Sequence, residues 1–322
     1  MYEKINVRAR VKELLEKKEN SDFFKSLYES GSGLTPAQNI TAPEDIEELI
    51  HELVYERSKL YRLLDVRRIY GDETTTVLST KGKSVFYFGE NCSKSRLMRV
   101  PVKEEVSLTS KKMSGFFNIC NAVLEDSPFE TAVYLVDTLS DILSNSIDIS
   151  VIEGVGIDGV FKNSQVFDTG GINYDSLENM CKLIRSKGGY PTVVVDRDVF
   201  NEFIFTRKTQ VEEQDDKVNV FQLGAKYDRE DIIMPEGYRI VFVERSETLK
   251  KGFVVIGDLS KYIFAERTGI EFKKDESSGL FIDGTNFMFR YRADGKITHK
   301  DRFISLKAPV VEEEPEILPD GQ

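Results

Sequence analysis

The residues that could do chemistry in this chain are few. Gly154-Val155-Gly156-Ile157-Asp158-Gly159 spells Gly-x-Gly-x-x-Gly, a spacing that cradles a pyrophosphate when a strand leads into it and a helix opens from it. No clear helix opens here and no strand–helix–strand unit surrounds it, so the run reads as a turn. Asp196, Asp198 and Glu202 are carboxylates of the kind that line a divalent cation. Asp196 and Asp198 read better as helix-start residues, favoured at the positive end of a helix. Glu104-Glu105 lies in an exposed segment, and solvation accounts for it. The only histidines are His51 and His299, and neither sits in a motif that builds a metal site or a Ser-His-Asp triad. His51 falls in the helical pattern Ile46–Leu64 and reads as a partly exposed helix residue. Cys92, Cys120 and Cys181 are odd in number with no Cys-x-x-Cys pair, which argues against a zinc site or a disulfide framework. Nothing arranges nucleophile, base and oxyanion donors together. The expectation is no catalytic, cofactor-binding or metal site, and no enzyme.

The composition agrees with a soluble protein that works by its shape. The chain has 322 residues, 40% hydrophobic and 31% charged, enough for one large domain or two smaller ones. No apolar run approaches the roughly 18 residues of a membrane span. The N-terminus carries Glu3, Lys4, Arg8, Arg10, Lys12 and Glu13 in place of an apolar signal core, so the protein is expected to be made in a cytosol, with no membrane partner. The formal net charge of -11 opposes a surface that neutralises DNA phosphates. If the protein encloses nucleic acid, it does so as a container.

The elements set the frame. Residues 1–30 are charge-dense with Val11, Leu14, Leu15, Phe23, Phe24 and Leu27 interspersed, a helical pattern broken by Gly31-Ser32-Gly33. Thr35-Pro36 to Pro43 reads as an extended arm, and a helix follows over 44–64 on Ile46, Ile50, Leu53, Leu60 and Leu64. Residues 74–78 and 84–88 are strand-like runs joined by Ser79–Lys83, and Arg99–Val102 is a third extended piece. Such a finger has too little apolar content for a core of its own, so it must lie on its own body or on another chain. Its stretch up to the next helix holds Lys81, Lys83, Lys94, Arg96, Arg99, Lys103, Lys111 and Lys112. After a polar lead-in from Leu108, Ser127 as N-cap, Pro128 at the first helical position and Glu130 completing a capping box predict a long helix. Phe129, Ala132, Val133, Val136, Leu139, Ile142, Leu143 and Ile147 give it one apolar face. A β-rich 151–166 comes next, then a helix over 174–186 ended by Gly188-Gly189. A strand at 192–195, a helix over 196–207 and strands at 237–243 and 252–256 follow. The C-terminal part reads as a β-meander with turns at Ser278-Gly279, Asp283-Gly284 and Asp294-Gly295. The tail from Glu312 is acidic and expected to be disordered.

Three stretches together carry a resemblance. The first is the helix with its lead-in, 108–154; the second is the finger before it. The third is the C-terminal series Gly257-Asp258-Leu259-Ser260, Arg267-Thr268-Gly269-Ile270 and Arg292-Ala293-Asp294-Gly295. In this order the chain resembles, over Thr35 to Ala308, the major capsid proteins of tailed bacteriophages with the Hong Kong 97-type fold. The resemblance implies an α+β fold with an N-terminal segment and arm (1–66), an extended β-finger or E-loop (67–106) that reaches over a neighbour, and a peripheral P domain with the spine helix (107–160 plus 258–308). It also implies a mixed α/β axial A domain (161–257) and leaves the acidic tail at 309–322. The implied function is a structural subunit that self-assembles, as hexamers and pentamers, into the icosahedral head shell around double-stranded DNA. The expected partners are a scaffolding protein, a portal and a maturation protease, and the expected location is the virion, with host cytoplasm during assembly. Residues 1–30 are short for a cleavable scaffolding segment, so a separate scaffolding protein or a retained arm is expected. In some relatives a finger Lys bonds to a neighbour's Asn; Lys81 or Lys83 and Asn286 stand where such roles are imaginable, without a motif that fixes the match. An encapsulin-type nanocompartment shell shares the fold, and a cytosolic α/β enzyme is the reading from a different class.

Overall fold

The computed structural model describes residues 4–28, 40–69, 75–81, 102–120, 127–167, 174–201, 226–228, 230–267, 269–275 and 284–307. The segments at Gly31–Gly33, 84–88, 202–207, Ser278-Gly279 and 309–322 lie outside the described residues, as do Lys83, Cys92, Lys94, Arg96 and Arg99.

The N-terminal helices α1 (Val7–Leu14) and α2 (Lys18–Tyr28) are part of the body. Val11, Phe23, Phe24 and Leu27 enter the main core, and Phe23 meets Phe272 edge-on with ring centroids 5.6 Å apart. A short β1 (Ile40–Thr41) precedes α3 (Glu44–Arg57), whose first turn carries Glu44, Asp45 and Glu47 at the positive helix end. The expected helix to Leu64 stops at Arg57 and resumes as a 3-10 turn over Tyr61–Leu63, because a buried carboxylate captures the chain at Ser58–Leu60, as described below.

Strand β2 (Asp65–Ile69) enters the sheet; β3 (Thr75–Lys81) and β4 (Val102–Leu108) leave it as a two-stranded ladder. The rungs run from Thr75↔Leu108 to Lys81↔Val102. The finger thus differs from its sequence reading: Ser79–Lys81 continues the strand instead of turning, and its partner is 102–108. The polar lead-in is also corrected. Residues 111–120 form a ten-residue strand, β5, with Met113, Phe117 and Ile119 turned inward and Lys112, Ser114, Phe116, Asn118 and Cys120 outward.

Helix α4 (Pro128–Glu153) has 26 residues and is about 39 Å long at 1.5 Å per residue. Pro128 sits at its start and Gly154, at φ +75°, ends it. The capping box does not form. The Ser127 side chain makes no cap bond, and Glu130 pairs with Arg8 of α1. In place of the expected β-rich 151–166, helix runs to Glu153, a bend follows, and α5 (Val160–Asn163) precedes β6 (Gln165–Phe167).

Helix α6 (Tyr174–Ser186) ends as the glycines require: Gly189 N–H donates to Ile184 O and Gly188 N–H to Arg185 O, the Schellman pattern. Strand β7 (Thr192–Val195) leads to α7 (Arg197–Val199), then β8 (Lys226–Asp228), β9 (Asp231–Ile233), β10 (Arg239–Phe242), α8 (Glu247–Lys250) and β11 (Phe253–Gly257). Strands β12 (Tyr262–Arg267), β13 (Glu271–Asp275), β14 (Gly284–Ile297) and β15 (Phe303–Lys307) complete the chain. The turn expected at Asp294-Gly295 is absent, and β14 runs straight through it.

Two sheets result. One has the order β6-β15-β11-β7-β10-β9-β8 and is buried on both faces. Val193, Val195, Ile240, Phe242, Val254 and Ile256 face α6, while Val194, Val241 and Val255 face the main core. The other is built on β14. Along one edge of β14 lie β12 and then β13, and along the other lies β5, which pairs with Gly284–Ala293. Strands β2 and β1 add outside β12 and β13. The main core fills the space between this sheet, α3 and α4.

Candidate assembly surface

Buried polar groups tie the elements together, and Asp148, Glu47, Glu266 and Asp231 among them carried no motif that singled them out in the sequence. Asp148 of α4 is buried and accepts the Ser58 hydroxyl at 2.6 Å, Lys59 N–H at 2.9 Å and Leu60 N–H at 3.0 Å. Burial pushes its carboxyl above the ordinary carboxylate value, against the pull of those three donors. This contact ends α3 and fixes it to the long helix. Asp148→Ala strands two buried donors and a half-buried one and should cost about 3 kcal/mol, read as a fall in thermal midpoint of roughly 6 °C or more.

His51 is buried, not partly exposed. Its Nε2 lies 3.5 Å from Glu47 and its Nδ1 3.5 Å from Glu266. Glu266 also accepts the hydroxyls of Tyr61 and Tyr291, each at 2.8 Å, and burial with that adjacent carboxylate raises both phenols. Glu47 accepts Gly269 N–H at 2.9 Å. Burial alone would raise the Glu47 carboxyl, but the bonds from His51 and Gly269 outweigh it and hold the group below its ordinary 4.5. A depressed carboxylate stabilises the fold fully above its unfolded value, and that stability is lost as pH falls through the folded value. Glu47→Gln removes this dependence, so the drop in urea midpoint between pH 7 and pH 3.5 should be smaller in the variant. An unchanged drop would show that other groups carry the acid response.

The Gly-x-Gly-x-x-Gly run is a junction between α4 and the sheet. A Cβ on Gly159 would stand 2.3 Å from Gly154 N, so the glycines permit backbone to lie on backbone. Asp158 N–H donates to Gly295 O at 3.1 Å, and Tyr262 O–H donates to Asp158 O at 2.6 Å. Asp294, fully buried, accepts Thr109 N–H at 2.8 Å and lies 3.4 Å from Lys111. It therefore anchors the base of the finger on β14. Asp231 holds Arg62 at 2.5 Å and Arg239 at 2.9 Å, tying the 3-10 turn to the seven-stranded sheet.

Of the other sequence candidates, Asp196 accepts Asp198 N–H at 2.9 Å as a helix-start residue, and Glu202 lies outside the described residues. His299 Nδ1 lies 3.0 Å from the Thr298 hydroxyl. The Cys181 thiol is pushed up to about 12 by burial, whereas Cys120 is exposed. Asn286, on the open face of β14, accepts Asn118 Nδ2–H at 3.0 Å. Among the described residues no group of three His, Cys, Asp or Glu could hold a metal ion, and no helix is long and apolar enough to cross a membrane. Exposed apolar side chains stand out instead. Phe116 on β5 is 81% exposed, Tyr190 80% and Val155 61%.

The buried polar contacts tie helices to sheets, and among the described residues the exposed face keeps large apolar side chains such as Phe116 and Tyr190. Residues 38–308 match the phage capsid family, and the chain belongs to that family. It is a capsid protein, a virion component that assembles with copies of itself. No curated protein matches it in sequence. Among solved structures it is similar to the capsid of an empty GTA particle computed with C5 symmetry, at 14% identity over 79% of this chain and 90% of that one, with a TM-score of 0.56. A structure from Gordonia phage Cozz gives 13% identity, 79% and 87% coverage and a TM-score of 0.52. One from Microbacterium phage Oxtober96 gives 12% identity, 87% and 95% coverage and a TM-score of 0.52. At these identities the likeness is one of fold.

Proposed function

We propose that this chain is the major capsid protein of a tailed phage or prophage, and that its copies close as hexamers and pentamers into an icosahedral head around double-stranded DNA. The observation that carries this reading is the β3–β4 ladder, seven rungs whose base Asp294 ties to β14 through Thr109; a two-stranded ladder is at best marginally stable alone and gains from a neighbour to cover it. In this reading residues 1–66 are the N-terminal segment and arm and 67–106 the finger. Residues 107–160 with 258–308 are the peripheral domain, 161–257 the axial domain and 309–322 an acidic tail. The protein has no enzymatic role. Its net charge of -11 suits a container that encloses DNA without reading it. A separate scaffolding protein, a portal and a maturation protease act on it in the host cytoplasm. Residues 4–28 stay in the particle, because Val11, Phe23, Phe24 and Leu27 belong to the main core.

Negative-stain electron microscopy of the expressed protein tests this, with intact mass measured on the particles. Closed shells, tubes or capsomer rings are expected, with full-length subunits. Shells filled with an enzyme instead of DNA in the native host would favour a nanocompartment. A clean monomer, even with the neighbouring scaffold and protease genes co-expressed, would overturn the shell reading, and a subunit starting near Gly31 would overturn retention.

A further inference from the structure

We infer that the acidic tail of this chain, from Glu312 to Asp320, seats on a lysine patch of its own copy and keeps that patch from double-stranded DNA. The patch surrounds the foot of α4. There Glu153 accepts the Ser246 hydroxyl at 2.7 Å and Thr248 N–H at 3.1 Å, which brings α8, ending in Lys250 and followed by Lys251, against the helix. Lys162 of α5 donates to Gly154 O at 3.3 Å, at the same helix end. Phe161 meets Phe253 edge-on with ring centroids 4.8 Å apart, and Phe253 stands opposite Lys307 in the β11–β15 ladder. Lys162, Lys250, Lys251 and Lys307 are all exposed. Lys250 has a loose pair with Glu247 at 3.8 Å. Lys162, Lys251 and Lys307 make no ion pair among the described residues. Lysines gathered in this way on a chain of net charge -11 make a local positive field that attracts an anion.

Charge and reach select the occupant. Residues 308–322 hold Glu312, Glu313, Glu314, Glu316 and Asp320 and no Lys or Arg. Glu312 follows Lys307 by five residues, roughly 17 Å of chain at most. Lys251 is nearer than that. It lies one rung across the ladder from Lys307 to Phe253, about 5 Å, and two residues along the chain, about 7 Å. Single exposed ion pairs are worth little, so the tether decides. A linker this short gives the tail an effective concentration on the order of millimolar, which favours its own patch over a neighbour's. Left bare, the same lysines would neutralise phosphates. Covered, they leave the surface unable to grip DNA that the particle encloses. That consequence rests on the shell reading; the seat does not.

The test uses unassembled full-length subunits at low salt, mixed from ordinary and isotope-labelled populations and joined with a zero-length carbodiimide that couples carboxylate to amine. Mass spectrometry should find 312–316 joined to Lys162, Lys250, Lys251 or Lys307 in links of a single isotope, lost at about 0.5 M salt. Links between the two isotopes only would overturn the own-copy seat. Links that are absent, or spread over the lysines of α1 and α2, would overturn the patch. The second arm measures binding of a double-stranded DNA fragment. Replacing Glu312, Glu313, Glu314 and Glu316 by Gln should tighten it about tenfold at low salt. Adding Lys250→Ala and Lys251→Ala should remove that gain. Adding Lys12→Ala and Lys18→Ala instead should keep it, because these lie on the N-terminal helices, whose Arg8 pairs with Glu130 at the other end of α4. No gain in the Gln chain, or equal losses from the two lysine pairs, would overturn the shielding. Neither arm depends on whether shells form, so the shell reading stands or falls separately.

Discussion

Gly159→Ala is expected to cost about 3–5 kcal/mol and to lower the thermal midpoint by roughly 10 °C, whereas Gly156→Ala should cost about 1 kcal/mol. The added methyl at 159 meets backbone, with Gly154 N at 2.3 Å and Glu153 C at 2.6 Å, and backbone cannot swing aside as a side chain can. The alternative is to open the turn. That would break the Asp158 N–H bond to Gly295 O and the Tyr262 O–H bond to Asp158 O, leaving buried polar groups without partners. Gly156 has φ +79° but nothing within 4 Å of its Cβ position, so its replacement meets only the strain of the left-handed region. The pair separates the two reasons a glycine can be needed in this motif. Equal effects at both positions would show that the close approach is not what fixes residue 159.

Whatever depends on neighbours in sequence was legible in advance. The long helix announced itself by Ser127-Pro128 and by apolar spacing, and short β-branched runs marked the strand at 192–195 and the one read at 252–256, which the structure places at Phe253–Gly257. The resemblance to the phage capsid family rested on the order of these elements, and the family match supports it. What was hidden depends on distant partners. Glu130 completes no capping box because Arg8 takes it. Strand β5 was read as a polar lead-in because Gly115 faces inward and Phe116 outward, which scrambles its apolar alternation. Asp294-Gly295 has turn chemistry, yet the strand passes through it. Asp294 satisfies Thr109 N–H, and a side chain at 295 would collide with the Tyr262 hydroxyl 2.1 Å away. His51 looked half-exposed from helical periodicity alone, and only the fold brings Glu266 beside it.

The finger separates folding from assembly, and its removal is the second large effect expected. Thr75 stands directly opposite Leu108, so residues 76–107 can be replaced by a two-residue Asn-Gly turn without moving the strands that remain. Ile69, Leu108, Ile263 and Ala265 form a small apolar cluster at the finger's base, and this cut keeps all four. The shortened chain should unfold within a few degrees of the parent, because among the described residues of the ladder only Leu108 enters an apolar cluster, the small one at its base, and this cut keeps it. It should also form no closed shells by electron microscopy and elute as a monomer or small oligomer. The stability measurement protects the inference, because a chain that fails to assemble after unfolding says nothing about the finger. A chain that stays folded yet no longer assembles shows that the body alone offers too little contact to a neighbour. Normal shells from the shortened chain would show that assembly does not need the finger.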